Sequence, residues 1–547
     1  MANLQSLRQI PRISRGIFLT LLLLAVTGVR AEPADASPLF LADELLQTLI
    51  PQESSLSWEE LERFYAENGC RPVWMDALGP NWRAGLLRQR LHMARDEGLT
   101  PRHYQIERID SLWSSRERKD RLLLELMLSS VFFDYAQDAR NGRLPPQHVA
   151  PLWEIDPTPV DPVALLRAAL SAEDFSSALD ALPPEHPAYR RLRTALADYR
   201  LIEAQGGWGD IPQGPSLRRG MRGPRVEALR RRLEAEGEIG FSPSFDAALF
   251  DETLDFAVRR FQVRHGLQVD GVVGKRTLAA LNVTVARRIE QIVLTMERWR
   301  WLPQDLGRRH LIVNIPSYEL IAYEDGEAGL SMPVIIGALE RPTPAISGML
   351  HTIVFNPYWT VPRSIALRDL VPRQRSNPNY MLSQGIRVFA GGTGGVELDP
   401  QEVDWSAVNV NFFPYTLRQD PGPKNALGKL KFLFNNRHAI YLHDTPHTGL
   451  FATSERAYSS GCIRLEEPLR LASFVLAEEP VQWSEQGIRR QLESDRNYGV
   501  RLTRPLPVYL LYLTAWVGED GAVHFHNDIY GEDELVRVCM PFEEQSL

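Results

Sequence analysis

The segment YLHDTPHTGLFATSERAYSSGCIRLEEP, Tyr441 to Pro468, carries the densest reactive chemistry in this 547-residue chain. It opens as a short strand in which Tyr441 and His443 share a face, because strand side chains alternate. It then loops through Pro446 and Gly449, returns at Ser459-Ser460-Gly461-Cys462, and runs into a predicted helix over LEEPLRLASFVLAEE. The gap between His443 and Cys462 lets the loop fold back and set an imidazole against a sulfur. A thiol nucleophile needs a neighbouring base and donors for the oxyanion of a tetrahedral intermediate. His443 supplies the base. Gly461 permits a tight turn that points the Gly461 and Cys462 amides into a pocket, and Tyr441 offers a further donor. Two blander readings stand beside this one. A cysteine next to glycine in a β domain also serves as a small buried hydrophobe. A zinc site built from His443, His447 and Cys462 is disfavoured, because Pro446 spoils a helical pair and no fourth ligand stands at metal-like spacing.

Outward from this segment the hydrophobic period is that of strands. HLIVNIPSYELIAYEDG, SMPVIIGALERPTP, MLHTIVFNPYWTVP, KLKFLFN and HAIYLHDTP predict a β-rich domain over 308–500. Between Pro362 and Pro421 the pattern turns irregular and polar, which predicts an insertion at about 363–420 that acts as a lid. PVYLLYLTAWVGEDGAVHFHNDIY predicts a hairpin turning at Glu519-Asp520-Gly521, within a C-terminal β extension at 501–547. Upstream, residues 40–215 read as a helical scaffold in which Leu122 to Asp138 is apolar around much of its circumference and therefore buried. A turn-rich linker, GGWGDIPQGPS, leads into a compact unit at 216–283. There Val226, Leu229 and Leu233, then Leu254, Val258 and Phe261, then Leu278 and Leu281 mark three helical faces, a small three-helix bundle. The fold class is thus a multidomain α+β chain.

The formal charge of −8 includes a leader with Arg8, Arg12, Arg15 and Arg30 and no acid, so the remainder is more acidic still. That argues against a nucleic-acid partner, whose footprint is basic. Residues 1–31, with the apolar run Gly16 to Gly28, read as a signal peptide or an uncleaved anchor, the run being shorter than the ~20 residues of a spanning helix. Either way the body lies outside the cytoplasm. Three cysteines, Cys70, Cys462 and Cys539, do not make a disulfide framework.

Two resemblances follow from these residues. Phe261-Gln262, His265-Gly266-Leu267, Val269-Asp270-Gly271, Gly274, Thr277 and Leu281-Asn282 resemble the peptidoglycan-binding family of small bundles. His443 followed by Ser459-Ser460-Gly461-Cys462-Ile463-Arg464 resembles the YkuD-type L,D-transpeptidase catalytic domain. Ser460 departs from the family's usual histidine, which leaves His443 as the one histidine placed to act as base. Together with NPYWTVP (Asn356 to Pro362) and PGPKNALGKLKF (Pro421 to Phe432), the chain resembles the large YcbB-like Gram-negative subgroup.

The resemblance implies a periplasmic enzyme, free or tethered by its leader, that forms 3→3 cross-links between diaminopimelate residues of peptidoglycan stems with release of D-alanine. Cys462 is its nucleophile and His443 its base, with Gly461 and Tyr441 as oxyanion donors and the Asp444 carbonyl orienting His443. Arg464, Ser460, Trp359, Tyr358 and Asn425 are the expected substrate contacts. No cofactor or metal is implied. The implied partners are donor and acceptor strands, a carboxypeptidase and a glycan-polymerising synthase. An L,D-carboxypeptidase using water as acceptor and a non-catalytic wall-binding protein are the alternatives.

Overall fold

The computed structural model describes residues 57–239 and 246–540. The leader at 1–31, the start of the scaffold at 40–56 and the last residues of the C-terminal extension lie outside the described residues.

The apolar stretch expected to be buried forms the long helix α1 (Arg118–Asn141), with Leu124, Met127, Leu128 and Phe132 at the centre of the scaffold core. Inside it Glu125 is buried. Its carboxylate accepts hydrogen bonds from the Val73 and Trp74 amides at 2.7 and 3.0 Å and from the Tyr65 hydroxyl at 2.7 Å, which is what a buried carboxylate requires. Burial still pushes its pKa up to about 7. Cys70 packs against this core and Cys539 is exposed at the far end of the chain. Helix α2 (Pro187–Ala204) completes the scaffold. The three-helix bundle follows as α3 (Pro224–Ala235), α4 (Glu252–Arg264) and α5 (Lys275–Leu281), closed around Val226, Leu229, Leu254, Phe261 and Leu278.

Helix α6 (Val285–Arg300), which sequence periodicity did not assign, packs along α2 and joins the bundle to the β domain. It buries charged residues as well as apolar ones. Arg298 pairs with Asp533 of α7 (Glu532–Cys539), both about 1% exposed, and Thr514 Oγ1 donates to the same carboxylate at 2.6 Å. Asp533→Ala leaves a buried guanidinium unpaired, so a loss of about 3–5 kcal/mol in denaturant unfolding is expected. An unchanged unfolding midpoint would contradict this account of the helix.

The β domain contributes β1 (Arg309–Asn314), β2 (Glu319–Glu324), β3 (Glu327–Gly337) and β4 (Ile346–Phe355). After the insertion come β9 (Leu430–Phe434), β10 (Tyr441–His443), β11 (Ala457–Ser459), β12 (Ile463–Leu465) and β13 (Tyr498–Leu511). The sheet runs β11-β3-β12-β10-β9-β4-β13-β1-β2, and β2 also pairs with β3, so the order closes on itself. Alternation fills the interior with Leu311, Val313, Ile353, Phe432, Leu442 and Val508.

Two expectations need correction. Strand β13 contains the 501–511 part of the expected C-terminal extension, yet it lies inside the sheet between β4 and β1. Its near-continuous apolar run is that of a strand flanked on both edges, and the hairpin proper is β14 (Ala515–Val517) with β15 (Val523–Phe525). The 363–420 stretch is not irregular. It holds β6 (Ile386–Ala390), β7 (Glu397–Leu398) and β8 (Tyr415–Gln419), which pair in the order β5-β8-β6-β7 with β5 (Trp359–Thr360) just before it. Val361, Leu370, Met381, Val388, Trp405 and Leu417 give it a core of its own.

Candidate active site

Strands β10 and β12 run side by side and parallel, with Leu442 opposite Ile463 and His443 opposite Arg464. One step back along both strands, Tyr441 faces Cys462. Alternation therefore turns Tyr441, His443, Cys462 and Arg464 to one side of the sheet, while Leu442 and Ile463 enter the core. On the other flank β9 places Lys431 opposite His443. Its ammonium lies over the Tyr441 ring at 3.8 Å.

These residues open into a cavity of about 870 Å³, roofed by the insertion through Ile365, Arg368, Arg373 and Tyr380. His443 is buried, and its Nδ1–H donates to the Asp444 carbonyl at 2.5 Å, which leaves Nε2 as the acceptor. Asp444 is itself pinned, because its carboxylate accepts from the Lys429 and Thr445 amides, both at 2.7 Å, and packs against the space above Gly428. Burial, then the Arg464 charge, pulls the His443 pKa down to about 3, against the bond to Asp444. Burial pushes the Cys462 thiol up, and hydrogen bonds from Tyr441 with the charges of Lys431 and Arg464 offset part of that rise. Both line the one cavity, Cys462 as a thiol and His443 as a neutral imidazole.

A raised thiol pKa means that the thiolate fraction at neutral pH is smaller than in a free thiol and grows as pH rises. Alkylation of Cys462 by iodoacetamide is therefore expected to accelerate continuously from pH 6 to 9, as only the thiolate reacts. A plateau through neutral pH would mean a standing thiolate–imidazolium pair instead.

The turn that presents the sulfur is tightly built. Gly461 has φ +107°, a region open to glycine, and its N–H donates to Ser459 Oγ at 3.1 Å. The amide expected to serve an oxyanion is thus occupied within the turn itself. Ser459 Oγ in turn donates to the Cys462 carbonyl at 2.5 Å. A relay holds the turn from behind, in which the Gly337 N–H donates to Thr343 Oγ1 and Thr343 Oγ1 donates to the Gly461 carbonyl, each at 2.9 Å.

The expected substrate contacts divide. Ser460 and Arg464 line the cavity, as does Trp359, whose side chain hydrogen-bonds to Tyr441. Ser460 Oγ accepts from Arg341 at 2.6 Å, and Arg341 also pairs with Asp369 of the insertion at 2.6 Å. Tyr358 does not line the cavity; it is exposed and faces the Arg418 guanidinium at 4.7 Å. Asn425 is buried in its own loop, donating to the Pro357 and Asp420 carbonyls at 2.8 and 3.1 Å and accepting from the Leu427 amide at 2.8 Å. Its task is to hold that turn. Among the described residues no group of three or more His, Cys, Asp or Glu side chains is placed to hold a metal.

Sequence reasoning missed Arg341, Arg368, Arg373 and Lys424, the cations that line the cavity with Arg464, and Lys431, whose ammonium lies over the Tyr441 ring. Lys431 had a signal, since KLKFLF alternates and puts Lys431 on the face opposite Leu430 and Phe432. The others had none, because only the folding of the insertion over the sheet brings them together.

Residues 308–482 match the L,D-transpeptidase catalytic domain, residues 222–281 a peptidoglycan binding domain and residues 59–196 a scaffold domain. A Haemophilus influenzae protein named as an L,D-transpeptidase is 36% identical over 250 residues, covering 46% of this chain and 49% of the relative. The chain thus spans about half the length of the curated relative it matches. Among solved structures, an L,D-transpeptidase from Xylanimonas cellulosilytica is 17% identical with a TM-score of 0.18, covering 55% of this chain and 99% of that one. One from Stackebrandtia nassauensis is 14% identical with a TM-score of 0.21, covering 55% and 96%. At these TM-scores the structural likeness carries no argument. The domain matches do, and this chain carries a YkuD-family L,D-transpeptidase catalytic domain at residues 308–482, together with a peptidoglycan binding domain and a scaffold domain.

Proposed function

We propose that the protein is a periplasmic peptidoglycan L,D-transpeptidase that makes 3→3 cross-links by a cysteine acyl-enzyme route. The observation that carries this reading is the neutral Cys462–His443 pair at the floor of a cavity ringed by cations. Cys462 attacks the carbonyl between the L-centre of diaminopimelate and the terminal D-alanine of a donor tetrapeptide as His443 Nε2 takes the thiol proton. The C–N bond then breaks, the imidazolium returns its proton to the departing D-alanine amine, and a thioester remains. The side-chain amine of an acceptor diaminopimelate attacks the thioester, gives up a proton to His443 and restores the thiol.

The cations are suited to the carboxylates of stem peptides. Tyr441, already bonded to Cys462, is a donor for the oxyanion. Donor tetrapeptides imply a carboxypeptidase acting upstream, and acceptor strands a glycan-polymerising synthase. The test is mass spectrometry of muropeptides made by the purified protein from tetrapeptide-bearing strands. Tripeptide–tetrapeptide dimers with equimolar free D-alanine are expected; D-alanine without dimers would assign the carboxypeptidase activity instead.

A further inference from the structure

The insertion leaves and rejoins the β domain through segments that touch. Asn425 donates to the Pro357 carbonyl at 2.8 Å and the Asn356 amide to the Lys429 carbonyl at 2.9 Å, so its two ends are tied at one place. With a core of its own, the 363–418 stretch hangs from that join as a unit.

Among the described residues, one ion pair ties this unit to the rest of the chain. Arg341, in the connection from β3 to β4, reaches Asp369 through both terminal nitrogens, Nη1 to Oδ2 at 2.6 Å and Nη2 to Oδ1 at 3.2 Å. Such a two-pronged pair fixes orientation as well as distance. The insertion's other ion pairs, Arg387 with Glu397 and Asp420 and Arg418 with Asp420, stay within it.

Asp369 is placed by an unusual helical turn. Helical residues run from Arg363 to Ser376, but Ala366–Leu370 forms a π turn, in which the Val371 N–H donates to the Ala366 carbonyl five residues back. Pro372 supplies a cause, since it has no N–H for the Arg368 carbonyl and its ring crowds that oxygen. The wider turn takes in one more residue than an α turn, and Arg368 and Asp369 both line the catalytic cavity.

The Arg341 Nη1 that meets Asp369 also donates to Ser460 Oγ at 2.6 Å. Ser460 stands two positions before Cys462, and Thr343, two positions after Arg341, holds the Gly461 carbonyl. One loop therefore grips the nucleophile's turn at successive residues, and its arginine grips the roof as well.

We propose that Arg341 is a positioning residue that couples the roof to the nucleophile. Its bond to Asp369 holds the insertion closed over the cavity, and its bond to Ser460 holds the turn that presents Cys462. Substrate enters when the Asp369 contact opens, and its re-formation sets roof and turn together. The effect on the reaction rests on the proposed function; the latch does not.

The experiment uses the full-length protein and two readouts. The first is alkylation of Cys462, followed by peptide mass, with iodoacetamide and with a bulky N-aryl iodoacetamide; the ratio of the two rates cancels the thiolate fraction and reads access alone. The second is acylation by a donor tetrapeptide, resolved into KM and kcat. Asp369→Asn, isosteric but uncharged, is expected to raise the bulky-to-small ratio and KM about three- to fivefold, with kcat little changed, the effect of losing one partly exposed ion pair. Arg341→Met should do the same and also lower kcat about tenfold or more, because it frees the turn. Arg341→Glu combined with Asp369→Arg remakes the pair with its charges exchanged, and should restore the ratio and KM while kcat stays low. An unchanged ratio in Asp369→Asn, an exchange that restores nothing, or equal kcat in Arg341→Met and Asp369→Asn would overturn the proposal. Asp369→Asn keeps the test open should Arg341→Met fail to fold. Absence of acylation in the unsubstituted protein would sink the catalytic reading, while the alkylation ratio alone decides the latch.

Discussion

Cys462→Ala is expected to abolish acyl-enzyme formation and lower dimer production by on the order of 10⁴-fold or more, with no change in thermal unfolding, because the sulfur is the atom that forms the bond. The side chain is small and lines the cavity, so its loss leaves little void. His443→Ala should cost nearly as much. With the thiol pushed up by burial, few molecules hold a thiolate at pH 7, and the imidazole must take the proton as the bond forms. The pair acts as a unit, so the double substitution should be scarcely worse than either single one. Intact-mass measurement after incubation with a carbapenem checks this directly. A covalent adduct on Cys462→Ala would place the nucleophile elsewhere.

Gly337→Ala is the second large effect, and it works through backbone. A Cβ at Gly337 would lie 2.1 Å from the Arg341 carbonyl oxygen and 2.8 Å from the Thr343 nitrogen, neither of which can move as a side-chain end does. The strand end must shift, and with it Thr343, whose hydroxyl holds the Gly461 carbonyl, and Tyr530, whose hydroxyl donates to the Gly337 carbonyl at 2.6 Å. Misplacing a nucleophile by about 1 Å costs on the order of 10²-fold, so acylation should fall at least that far. A crystal structure of the variant with the Ser459–Cys462 turn unmoved, or unimpaired acylation, would contradict the role given to this relay.

That Cys462 and His443 come to one cavity was legible because both stand in one short stretch of chain that folds back on itself, so local spacing carries the geometry. The β-rich character of the domain was legible from alternation, though not the closure of its sheet, and the bundle from three helical faces. The insertion was not, since β5 and β7 are two residues each, too short for any period to register. Helix α6 carries Arg298 and Arg300 on buried faces, which disguises it as a solvent helix until Asp533 and Glu297 are found beside them. Tyr358 and Asn425 were misassigned for a different reason. Both stand in segments whose resemblance to a family is real, but a resembling segment also contains the residues that shape its own turns.

Strand β13 begins 16 positions beyond the end of the catalytic-domain match at residue 482, yet it fills the gap between β4 and β1. A fragment trimmed to the homology boundary would therefore be an unzipped cylinder, with two raw edges offering backbone donors and acceptors to neighbouring molecules and an oily interior laid open between them. Such a fragment belongs in inclusion bodies, and the smallest portion able to stand alone must reach at least Leu511.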